Sequence, residues 1–69
     1  MRILNIISNQ LIVKKQILEG ELERLLNRAD IALDKKAEMA TDLISKLTEV
    51  SSSILMWESY INKEEQKQN

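Results

Sequence analysis

The chain has 69 residues, 43% hydrophobic and 30% charged, with a net charge of −1, one glycine, and no proline, cysteine or histidine. A chain this short buries only about 60% of the surface its unfolded form exposes, and without cysteine or histidine it lacks the disulfides and the thiolate or imidazole metal sites that usually compensate. Thiolate and imidazole catalysis are excluded, and the composition points to a helical bundle or coiled coil that gains stability by association.

In the first segment, "MRILNIISNQLIVKKQIL", Leu4, Ile7, Leu11 and Leu18 follow alternating steps of three and four, with Lys14 in the missing position. Ile3, Ile6, Val13 and Ile17 form a second row beside the first, so the apolar face is wider than a two-helix contact needs. Lys14 is expected to act as a register-setting polar group in the core, facing Glu58 or another acid of the second half. The early arginine and apolar residues suit a signal sequence, but Ser8-Asn9-Gln10 interrupts the run and no small-residue cleavage site follows. No stretch approaches the ~18 consecutive apolar residues of a spanning helix. An interfacial membrane helix is disfavoured because Gln10 and Lys14 fall inside the apolar arc. The absence of cysteine agrees with a cytoplasmic location.

The middle of the chain carries the candidate reversal. Gly20 is expected to remain helical, since a lone helical glycine costs about 1 kcal/mol relative to alanine. The turn is placed within residues 27 to 36, with Asn27 capping a new helix, Asp30 as the acidic partner of a capping box and Leu26 packing on Ile31; Asp34 is a second candidate cap. Arg24, Arg28, Lys35 and Lys36 cluster here and are the candidate phosphate contacts of a nucleic-acid-binding hairpin dimer. Asp30 and Asp34 dilute that patch and both aromatic residues lie far from it, so nucleic acid is disfavoured.

A rival geometry has no turn. Leu22, Leu25, Ala29, Ala32, Lys36, Met39 and Leu43 also keep a three-four rhythm, compatible with one continuous coiled-coil helix of about 60 residues, ~90 Å long. A change of seam phase, the midpoint cap and charge favour the hairpin: residues 1–18 carry Arg2, Lys14 and Lys15 with no acid, whereas residues 37–69 carry six acids against three lysines. Folding back brings the opposite signs together.

In the second half, Ala40, Leu43, Leu47, Val50, Ile54, Trp57 and Ile61 form an unbroken seam. Leu55, Met56 and Tyr60 do not belong to it. With Trp57 they form the predicted contact surface, because Trp, Tyr and Met are enriched at interface centres. The triple serine at 51–53 has no histidine partner and no glycine-lined turn for an oxyanion hole. The carboxylates Glu19, Glu21, Glu23, Asp30 and Asp34 come without a substrate pocket and without the Glu-x-x-His of bundle di-metal sites.

These readings converge on an all-α antiparallel hairpin with helices over residues ~3–28 and ~35–64 that dimerises as a four-helix bundle, leaving 65–69 as a polar, frayed tail. The expected function is non-enzymatic and free of cofactors: a small regulator, inhibitor or co-chaperone that self-associates and binds a second protein through Leu55, Met56, Trp57 and Tyr60, with Ile3, Ile6, Val13 and Ile17 as a second face.

Overall fold

The computed structural model describes residues 2–67 and contains two helices, α1 (Arg2–Asn27) and α2 (Leu33–Lys67), folded back on each other through residues 28–32. The result is a hairpin with Cα extents of 55 × 17 × 12 Å. This settles the choice between the hairpin and a single continuous helix. Leu22 and Leu25 belong to the packed face of α1, while Ala29 and Ala32 lie in the connection. The helices start and end within a few residues of their expected limits; α2 continues to Lys67, into the segment expected as a tail, and Gln68 and Asn69 lie outside the described residues.

Helix α1 is built from straight-chain and branched apolar residues with no proline to interrupt it, and Gly20 remains helical as expected. Helix α2 is richer in serine and threonine, which compete with the backbone for hydrogen bonds. Here the Thr41, Thr48 and Ser53 hydroxyls donate to the carbonyls of Ala37, Ile44 and Glu49, one turn back, at 2.8, 2.9 and 3.0 Å. The hydroxyls are satisfied without breaking the helix.

The interface between the helices follows the predicted seam of α2. Ala40, Leu43, Leu47, Val50, Ile54, Trp57 and Ile61 are all buried or half-buried. On α1 the seam consists of Leu4, Ser8, Leu11, Lys15, Leu18, Leu22 and Leu25, with Ile7 at its edge. Only Leu25, Ala40 and Val50 are buried among the described residues, and none of them completely. Two helices share one line of contact, so each seam side chain keeps an open flank and none is enclosed on all sides.

The structure corrects the role of Lys14. Its side chain is exposed, and so is that of Glu58, whereas Lys15 is half-buried on the seam. From Leu4 the packed face proceeds by four to Ser8 and by three to Leu11, a phase that places position 15 inward and position 14 at the flank. The apolar spacing hid this phase because its second position is filled by a serine. Ser8 belongs to the seam through a polar contact: the indole N–H of Trp57 donates to Ser8 Oγ at 2.8 Å.

The turn falls inside the expected window but is held differently. Asn27 is the last residue of α1, not the cap of α2, and Asp30 lies in the connection, where both its carboxylate oxygens accept from the Arg28 guanidinium at 3.0 and 2.6 Å. Leu26 is exposed instead of stapled. Ala32 stands at the start of α2, its carbonyl accepting from Lys36 N–H at 2.8 Å. Asp34 sits in the first turn, where a negative charge suits the helix N-terminus, and accepts from Lys35 N–H at 2.9 Å. Closure of α1 comes from α2: the Lys36 ammonium donates to the carbonyls of Leu26 (3.4 Å) and Arg28 at the end of α1. A cation on these carbonyls satisfies groups the helix itself cannot bond and complements its dipole.

Candidate functional site

A hairpin has an inner seam, two broad sides and two outer backs. The predicted contact residues distribute over all of them. Trp57 turns into the seam, where it is half-buried, bonds Ser8, and stacks on Tyr60 with ring centroids 5.4 Å apart and planes at 17°. Leu55 and Met56 are 67% and 75% exposed. Adjacent helical residues diverge by about 100°, so these two point to opposite sides of the hairpin. Met56 joins Leu11, Ser53, Trp57 and Tyr60 around a shallow groove of about 360 Å³. Leu55 takes no part in that groove and lies on the same face of α2 as Ile44, which is also exposed. Leu55 thus lies apart from Met56, Trp57 and Tyr60, as its sideways position relative to the α2 seam implies.

The residues of the second predicted face lie on α1. Ile3, Ile6, Val13 and Ile17 are all exposed, between 42% and 54%. They share the side of α1 turned away from α2, because a row at these spacings lies roughly 140° around the helix from the observed seam. Val13 and Ile17, with Asn9, Gln10 and Lys14, line a shallow depression of about 350 Å³ on that side.

The turn end has a different character. Glu21, Arg24, Arg28, Asp42 and Lys46 surround a cavity of about 390 Å³ floored by Leu25, Met39 and Leu43. Of the four cations read as candidate phosphate contacts, Arg28 is paired with Asp30 and Lys36 is directed onto α1 carbonyls. Arg24 lines the mixed-charge cavity and Lys35 is exposed. The Arg28 hydrogen bonds hold the Asp30 carboxyl below the usual carboxylate range, and Asp30 in turn raises the Arg28 guanidinium. No cluster of three or more acids that could hold a metal ion occurs among the described residues.

No family model, curated protein or solved structure matches this chain.

The chemistry of the site is thus read from its own surface. No helix among the described residues is long and apolar enough to cross a membrane. What distinguishes the surface is its apolar content: besides the residues above, Ile12, Leu26, Leu33, Met39 and Ile44 are exposed. Sequence periodicity marked the α1 row but not Ile12 and Ile44. Each stands next to a seam residue, and only the observed phase shows that they fall outside it.

Proposed function

We propose that this chain is a non-enzymatic helical interaction module that self-associates as a dimeric four-helix bundle and binds a second protein, in the manner of small regulators, inhibitors and co-chaperones. The observation that supports this reading is a surface excess. The chain exposes 5649 Å², whereas a compact monomer of 8.0 kDa exposes roughly 4,500 Å². The difference, about 1,200 Å², exceeds the ~800 Å² per partner of a standard stable interface, and the exposed large apolar side chains are placed to supply it. The outer face of α1 suits self-association, and the groove of Met56 and Tyr60 suits the second protein, because a flexible thioether beside stacked aromatic rings adapts to an inserted apolar side chain.

The test is affinity purification with the wild-type chain and with Met56→Lys and Tyr60→Lys variants, alongside their solution mass. A partner lost with the mass unchanged supports the reading. Loss of self-association in these variants would assign the groove to the homo-oligomer instead. The nucleic-acid reading has less support, since two of its four cations are engaged within the turn.

A further inference from the structure

The outer face of α1 can be given an occupant and an orientation. Ile3, Ile6, Gln10, Val13, Ile17 and Gly20 follow steps of three, four, three, four and three, a second contact row on the side of α1 opposite its seam. A helix apolar on both sides over its first 18 residues suits a central position between two neighbours. Helix α2 supplies one of them. Its own outer back, with Glu38, Ser45, Ser52 and Ser59 all exposed, offers no matching row.

Two further features bear on what the second neighbour is. The first is charge order along α1: Arg2, Lys14 and Lys15 precede a run of Glu19, Glu21 and Glu23. Lys15 faces the inner seam, so the charges flanking the outer row are Arg2, Lys14 and Glu21, and two α1 helices packed in parallel would set each of these against its own twin. Packed antiparallel, the Arg2 end of each lies beside the glutamate run of the other, an arrangement that satisfies a twofold axis. The second is Gly20. Nothing within the hairpin calls for a glycine there: a Cβ built at this position meets only the end of the flexible Arg24 side chain, at 3.4 Å. On the outer row, glycine allows another helix to approach closely.

Building on the proposed self-association, we infer that a second copy of this chain docks antiparallel along the outer face of α1. Matching the two rows in their three-four phase sets Ile3 against the second copy's Gly20, Ile6 against its Ile17 and Gln10 against its Val13. The two α1 helices form the centre of the assembly and the α2 helices flank them. Each row buries its four aliphatic side chains against its twin, and the single glycine receives the Ile3 of the other copy.

The chain has no cysteine, so single-cysteine variants of the full chain carry site-specific spin labels cleanly. In the antiparallel dimer a label at Asn9→Cys lies near the axis and gives a distance below ~20 Å, while Asn27→Cys gives about 45 Å from a rise of 1.5 Å per residue. A parallel dimer would bring the Asn27 labels within ~20 Å of each other. Val13→Asp, at a position exposed in the hairpin, is expected to weaken association at least tenfold with helicity unchanged; Gly20→Leu is expected to weaken it while helicity rises. A dimer with close Asn27 labels, or one indifferent to Val13→Asp, overturns this inference and leaves self-association standing. A wild-type chain that stays monomeric overturns both.

Discussion

The hydrogen bond from Trp57 to Ser8, 2.8 Å long, joins residues 49 positions apart and fixes the register of the two helices. With residue 57 beside residue 8, antiparallel helices of equal rise bring 61 beside 4, 54 beside 11, 50 beside 15 and 40 beside 25, so both seams meet along their full length. Removing the acceptor leaves a partly buried indole N–H without its partner. Ser8→Ala is expected to lower stability by about 1 kcal/mol, read as a lower urea midpoint with a changed tryptophan emission. An unchanged midpoint would mean that water replaces Ser8 at no cost.

Stability should be concentrated where the seam is closed. Leu25 is 5% exposed and Leu33 is 83% exposed. Leu25→Ala is expected to cost about 2–4 kcal/mol, a large part of the roughly 3–10 kcal/mol available to a chain of this length. Leu33→Ala should fall within about 0.5 kcal/mol of wild type. Thermal melts followed by circular dichroism separate the two, and equal losses would contradict the burial pattern.

Lys36 closes α1 from the other helix. Lys36→Met keeps most of the aliphatic stem and removes the ammonium, leaving the last carbonyls of α1 to water. A loss of about 0.5–1 kcal/mol is expected, with amide exchange accelerated at residues 24–28 before the centre of the hairpin responds. Uniform acceleration along both helices would contradict a local role at the turn.

The turn also carries a pH signature. The Arg28 hydrogen bonds hold Asp30 below its ordinary range, aided by a backbone hydrogen bond and by the charges of Arg28 and Lys36. A depressed carboxylate contributes stability that is complete above the unfolded aspartate range and is lost as pH falls through the folded value. Both side chains are open to solvent, so the effect on global stability should be small and reduced by salt. The direct readout is a carboxyl-carbon NMR titration: Asp30 should titrate below the ordinary aspartate range and return towards it in Arg28→Ala. An Asp30 midpoint unmoved by that substitution would dismiss the pair.

Much of this fold is legible in the sequence, for identifiable reasons. The α2 seam is written entirely in apolar residues, so its phase is unambiguous. The α1 seam is not. Ser8 and Lys15 occupy two of its positions, while Ile3, Ile6, Val13 and Ile17 decorate the opposite side; apolar spacing alone admitted Lys14 into a row it does not join. The place of the turn was legible from the cap candidates around Asn27 and Asp34. Its chemistry was not, because the group closing α1 is a lysine nine residues beyond the end of that helix, a contact that exists only once the chain has reversed. The divergence of Leu55 and Met56 is legible from helical geometry, since neighbours in sequence differ by about 100° around α2. Which of them borders the Trp57 groove depends on the rotation of α2, set by its pairing with α1.

Self-association is the claim on which the functional reading rests, and sedimentation equilibrium of the full chain tests it most directly. A buried core of three residues among those described, beside an excess of exposed aliphatic surface, is expected to give a mass twice the 8.0 kDa of the chain at micromolar concentration, falling to the single-chain value in Val13→Asp. A wild-type mass of one chain at every concentration, with both helices intact, would contradict it.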